Sequence, residues 1–187
     1  MKYLVAIGLF LTFSFQAVSQ SVIVQSTKVL IHGSSTLHDW TSEAEKANVN
    51  LEVLTDGGKV MGINKAKVTI PVKDIKSEKG SIMDKKTWGA LKEKDNPNIT
   101  FTLGNESPVT GSGMISASGK LTIAGKTKPV SLSAKLKDLG NGVYEVNGIH
   151  PIKMSDYDME QPTALMGTIK VGDDVKVEYT VKFYIKS

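Results

Sequence analysis

The 187-residue chain contains no cysteine and no arginine, and only three histidines, His32, His38 and His150. Without cysteine there is no disulfide, no thiolate metal site and no acyl-cysteine anchor, so packing alone must hold the fold. Without arginine, all 23 basic residues are lysine. The planar fork that grips phosphate at two points is therefore absent, and the lysines are scattered rather than gathered into a stripe interleaved with aromatics. Nucleic acid is not an expected partner. Three imidazoles with no thiolate make a zinc site a poor expectation, and no metal or other cofactor is expected.

Apolar runs are also scarce beyond the N-terminus. The opening MKYLVAIGLFLTFSFQAVSQ sets one lysine before an apolar core and ends in Ala17-Val18-Ser19. This predicts a secretory signal peptide over residues 1–19, cut after Ser19, since the core is short for a membrane span. The remainder, 20–187, has the length of a single domain and no expected membrane span. The formal net charge of +4 falls to +3 without the leader, which carries one lysine and no acid. A periplasmic or secreted location follows as an expectation.

What is present is alternation. Val175, Val177, Tyr179, Val181, Phe183 and Ile185 alternate with Lys176, Glu178, Thr180, Lys182, Tyr184 and Lys186, the period of two that marks a strand with one face buried. Similar patterns predict strands over 22–33, 43–54, 59–72, 98–103, 113–123, 130–137 and 143–153. Asp56-Gly57-Gly58, Ala124-Gly125-Lys126 and Gly140-Asn141-Gly142 supply short turns. A long loop is expected over 154–173. About eight strands joined by short turns predict an all-β, antiparallel, eight-stranded barrel. Lysines occupy the polar face of nearly every strand, so that face meets water and the uncharged face turns inward, unlike an outer-membrane barrel.

The exception to alternation is one short helix, expected at about 81–92 as a lid or plug. Ser81 and Asp84 form a weak capping box, and Met83, Thr87, Ala90 and Leu91 share a face. Gly89 and the Asp95-Asn96-Pro97-Asn98 cluster are expected to end it.

Several motifs invite chemistry. Ser35-Thr36-Leu37-His38-Asp39-Trp40 places hydroxyls, an imidazole, a carboxylate and an indole at a strand entrance; neighbours on a strand point to opposite faces, so His38 and Asp39 are poorly placed for joint catalysis. Asp156-x-Asp158-x-Glu160 begins like a calcium loop, but Gln161 stands at the glycine position and Gly167 at the closing glutamate position. Ala124-Gly125-Lys126-Thr127 resembles the end of a phosphate loop, yet Lys120 occupies the upstream glycine position.

An uncharged barrel interior with small residues such as Ala47, Ala66, Ala117, Gly119 and Ala134 suits an acyl or prenyl chain, each buried methylene contributing about 0.8 kcal/mol; a core filled by its own side chains is equally normal at eight strands. The STLHDW segment, Asn96-Pro97-Asn98-Ile99-Thr100-Phe101, Gly119-Lys120-Leu121-Thr122-Ile123 leading to Thr127-Lys128-Pro129-Val130, and Gly172-Asp173-Asp174-Val175, taken in order, resemble the YceI-like family. The resemblance spans roughly the whole mature chain. It implies an exported, lipocalin-like barrel that binds a polyisoprenoid or other amphiphilic lipid without catalysis, tail along the barrel axis and head near the mouth.

Position and polarity then nominate His38, Trp40, Met83, Trp88, Leu91, Phe101, Tyr157 and Met159 as ligand contacts. The expected partner is an isoprenoid or fatty acid, and a homodimer stays open. Two rival readings remain: an interaction module with a filled core, and a hydrolase-type enzyme using His38 and Asp39.

Overall fold

The strand patterns close on themselves. A computed structural model describes residues 18–186, so residues 1–17 of the expected signal peptide lie outside the described residues. Eight long strands form the barrel: β1 (Val18–Ser35), β3 (Asn48–Asp56), β4 (Lys59–Pro71), β6 (Asn98–Leu103), β8 (Met114–Ile123), β9 (Lys126–Gly140), β10 (Val143–Lys153) and β12 (Ile169–Ile185). Each pairs antiparallel with the next in this order, and β12 returns to β1 from Val22↔Ile185 to Ser35↔Val171. This is the expected closed meander, and closure removes the exposed sheet edges.

Four short strands are added to it: β2 (Trp40–Ala44), β5 (Ile75–Ser77), β7 (Ser107–Pro108) and β11 (Thr163–Ala164). β2 pairs with the end of β1 and with β5, while β7 pairs with β4 and β11 with β12. The single strand expected over 43–54 is thus two, β2 and β3, divided at residues 45–47. The loop expected over 154–173 is shorter, because β12 begins at Ile169, and it contains 3-10 turns at Met154–Tyr157 and Leu165–Gly167.

The expected inward residues do face inward where the ladder is regular. Leu51, Val53, Ile115, Leu121, Ala134, Tyr144 and Phe183 are buried. The β3–β4 ladder skips Asn64, between the pairs Glu52↔Lys65 and Val53↔Ile63, and Met61, between Leu54↔Gly62 and Thr55↔Val60. Each bulge reverses which face the following residues of β4 occupy. Ile63 and Val60 are therefore buried, whereas Met61 is exposed.

The helix α1 (Ser81–Ala90) lies where it was expected but is delimited differently. Gly80, at φ 86°, is its N-cap and there is no side-chain cap; the Asp84 carboxylate instead accepts a hydrogen bond from the Ser77 amide at 2.7 Å. Gly89 is inside the helix. The stop is a Schellman turn: Lys92 adopts φ 53°, its amide donates to the Gly89 carbonyl and the Glu93 amide to the Trp88 carbonyl, both at 3.0 Å, ahead of Pro97.

Packing divides the interior along its axis. At one end, Val53 and Phe183 are fully buried and the Tyr144 and Phe183 rings stack at 5.8 Å within a cluster that includes Leu51, Val60, Ile63 and Ile115. At the other end, α1 and the turns cover a second cluster around Val72, Ile75, Leu91 and Ile123. Leu103 and Tyr179 touch both clusters. No helix among the described residues is long and apolar enough to cross a membrane.

Candidate functional site

The barrel end under α1 is hollow. A cavity of about 380 Å³ lies there, within the range of small-molecule sites. Its inner wall is Ile31, Ile123, Ile152, Val175 and Val177, from strands β1, β8, β10 and β12. Its cover is the helix face Met83, Thr87, Ala90 and Leu91, with Met154 and Met159 from the turn after β10. The exposed lining residues His38, Lys79 and Thr163 mark the mouth. Among the described residues, the ionisable ones that line it are His38, Lys79 and Lys86, and none of them is a carboxylate.

The cover is held by polar contacts. The Trp88 indole N–H donates to the Ile75 carbonyl at 3.0 Å, and the Lys76 ammonium sits 4.5 Å from the indole centroid, a cation–π geometry. Lys76 also lies 4.0 Å from the Asp84 carboxylate. Beyond the helix, the Lys86 ammonium donates to the Thr163 carbonyl, which links α1 to β11.

The STLHDW segment forms the facing wall. Ser35, rather than Asp39, holds its turn: the Ser35 hydroxyl accepts from the Leu37 and His38 amides, each at 3.2 Å, and donates to the His38 carbonyl at 2.8 Å. The His38 Nδ1 is 2.7 Å from the Asp39 carbonyl oxygen, and because a carbonyl can only accept, Nδ1 carries the proton. The imidazole is thus engaged with the Asp39 backbone, not with its carboxylate. The Trp40 indole N–H donates to the Ser34 carbonyl at 3.0 Å and its ring lies flat on Gly33, its pairing partner on β1.

Of the eight nominated residues, the cavity brings together His38, Trp40, Met83, Leu91 and Met159. Trp88, Phe101 and Tyr157 do not border it. Trp88 turns to the β5 backbone, as above. Phe101 is buried with its ring against Gly119 on β8, and the space left by the missing β-carbon takes the ring flat against the wall. Tyr157 is buried in the core cluster that includes Leu91 and Ile123, with the Lys128 ammonium 5.8 Å from its ring. Sequence reasoning did not single out Ile31, Ile75, Thr87 or Val177 as lining residues; Val177 was legible as an inward position and Thr87 as sharing the helix face of Met83, but nothing in their spacing tells a lining position from a packed one.

Several titratable groups away from the cavity are tied to neighbouring groups. Asp156 and Asp158, the start of the failed calcium pattern, pair with Lys128 and Lys126 at 2.7 Å each, and the Lys126 ammonium holds the Asp158 carboxyl below its ordinary value. No group of three or more metal-ligating side chains occurs among the described residues. Burial pushes the Tyr179 phenol up to about 12; its hydroxyl donates to the Ser133 carbonyl at 3.1 Å. Burial also lowers the His150 imidazole.

Comparison with known proteins agrees with the fold. A model of the YceI-like domain matches residues 13–183. Among solved structures, BcnA of Burkholderia cenocepacia is similar, with 19% identity over 83% of this chain and 95% of that one and a TM-score of 0.68. A polyisoprenoid-binding domain from Saccharophagus degradans, implicated in plant cell wall breakdown, shares 14% identity over 91% of this chain and 100% of its own, with a TM-score of 0.64. A Campylobacter jejuni YCEI protein shares 20% identity over 78% and 84%, also at 0.64. At these identities the structural likeness concerns the fold. No curated protein matches the chain.

Proposed function

The chain belongs to the YceI-like family, and from that premise we propose that it is an exported, non-catalytic binding protein for an amphiphilic lipid, an isoprenoid or a fatty acid. The observation that carries this reading is the cavity: about 380 Å³ with aliphatic inner walls and no carboxylate among the described lining residues, open at a mouth where His38 and Lys79 stand. A hydrocarbon tail gains about 0.8 kcal/mol per methylene on entering such a space, whereas a polar metabolite would lose hydrogen bonds that the walls cannot replace. The tail lies inward between Ile31, Ile123 and Val177, and the head stays at the mouth. The polyisoprenoid-binding domain of similar fold supports the isoprenoid class.

Catalysis is not part of the proposal. A hydrolytic pair needs a nucleophile within hydrogen-bond reach of its base, and the neighbouring Ser35 hydroxyl is bonded to the His38 backbone and not to its imidazole. Carriage between membranes through the periplasm, or in the secreted phase, is the role that suits a signal peptide and an enclosed tail. The test is titration of the mature protein with a fluorescent prenyl or acyl probe. Saturable binding at one probe per chain, abolished when Val177→Trp fills the cavity, is expected; absence of saturable binding, or binding indifferent to Val177→Trp, contradicts the proposal.

A further inference from the structure

Nine large apolar side chains are exposed among the described residues, and the three most exposed are Met166 at 107%, Ile82 at 74% and Leu37 at 65%. They come from distant parts of the sequence, yet each adjoins the cavity. Leu37 lies between the lining residues Ser35 and His38, Ile82 precedes Met83, and Met166 follows Ala164 by two positions. None of the other six, Val18, Ile23, Met61, Met114, Leu139 and Ile149, has a lining residue within two positions.

The three segments are bonded into one rim. The Thr36 amide donates to the Lys170 carbonyl at 3.0 Å and the Lys170 amide to the Thr36 hydroxyl at 3.2 Å, joining the Leu37 turn to the strand that follows Met166. Lys86 joins the helix carrying Ile82 to Thr163. Around this rim stand Lys79, Lys85, Lys86 and Lys170 against three exposed carboxylates, Asp39, Glu78 and Glu160, since Asp84 is buried and bonded to Ser77 and Lys76.

Single exposed apolar residues are ordinary, but the most exposed ones gathered at an apolar opening mark a contact surface. We propose that the rim of Leu37, Ile82 and Met166 is the face by which the protein docks, mouth first, onto the interface of an anionic lipid bilayer. Protruding apolar side chains enter the boundary between head groups and acyl chains, and flanking lysines meet the negative surface. The occupant is a bilayer because the cavity opens within the rim: a tail leaving the bilayer passes directly into the barrel without crossing water. The inference rests on the lipid-binding reading of the cavity.

The test uses the mature protein and vesicles of phosphatidylglycerol and phosphatidylethanolamine containing a fluorescent acyl probe. Wild type and a Leu37→Ser/Ile82→Ser/Met166→Ser variant are compared for co-sedimentation and for the rate of probe extraction, with Ile149→Ser as a control. The triple variant is expected to lose co-sedimentation and to extract at least tenfold more slowly. Its affinity for the same probe delivered from ethanol should stay within twofold of wild type. Equal co-sedimentation and extraction by both proteins overturns the proposal. Self-association of wild type that disappears in the variant, without vesicle binding, also overturns it and assigns the rim to a second copy of the chain. Failure of wild type to bind the ethanol-delivered probe would defeat the cavity reading, while co-sedimentation still decides the rim.

Discussion

The Trp40 indole rests on Gly33, so closely that a β-carbon on the glycine would lie 2.2 Å from Cζ2 of the ring. Trp40 lines the cavity, and Gly33 is at once its strand partner and a partner of Val175 on β12. The missing side chain therefore lets one aromatic ring wall the mouth at the seam where the barrel closes.

Gly33→Ala should lever the indole off this wall. Overpacking of this kind costs about 1–3 kcal/mol of stability, and the probe affinity should fall with it. In a Trp88→Phe background, Trp40 emission reports the displacement directly; an unshifted spectrum and unchanged affinity would show that the contact is not needed.

Trp88 and Met83 lie on one helix and should behave oppositely. Trp88→Phe removes the hydrogen bond to the Ile75 carbonyl, worth about 0.5–1.5 kcal/mol net, yet leaves the cavity lining intact. Met83→Ala takes away a lining side chain. Chemical denaturation should register Trp88→Phe and probe titration should register Met83→Ala; the reverse pattern would mean that α1 is seated differently.

Tail length should saturate. The barrel beyond Tyr179 is packed by Phe183, Val53 and Tyr144, so affinity across a fatty-acid series should rise by about 0.8 kcal/mol per methylene and then level off when the tail meets that floor. A rise that continues into long polyprenyl chains would require the floor to open.

Alkaline stability follows from Tyr179. Its folded value of about 12 lies above the roughly 10 of an unfolded tyrosine, so the folded state holds a proton that the unfolded state releases. Its contribution is complete below pH ~10 and is lost as pH rises toward 12, by at most about 2–3 kcal/mol. Tyr179→Phe should flatten that part of a denaturation-versus-pH curve; an unchanged slope would place the loss elsewhere.

The sequence made the barrel legible because its signal is local. Val175 to Ile185 alternates without a fault, and Asp56-Gly57-Gly58-Lys59 turns where it should, Gly57 and Gly58 both at positive φ. What stayed hidden depends on pairing between distant segments. The bulges at Asn64 and Met61 leave no mark in composition, and β5 exists only because β2 lies beside it. Ser81 and Asp84 have the spacing of a cap, but the Ser77 amide captures the carboxylate. At the site, the helix face of Met83 and Leu91 was readable from spacing, whereas Trp88 points to β5 for a backbone carbonyl that no sequence pattern displays. Lys79 and Lys86 looked like two more surface lysines until the fold placed them at an opening.

The most direct measurement is native mass spectrometry of residues 20–187, purified without detergent from an exporting bacterial host. A bound lipid predicts a discrete added mass, one per chain, released on denaturation, extractable into organic solvent and absent from Val177→Trp. A bare mass that is unchanged after incubation with prenyl quinones, prenyl phosphates and fatty acids would contradict lipid binding and favour an interaction module whose cavity holds no ligand.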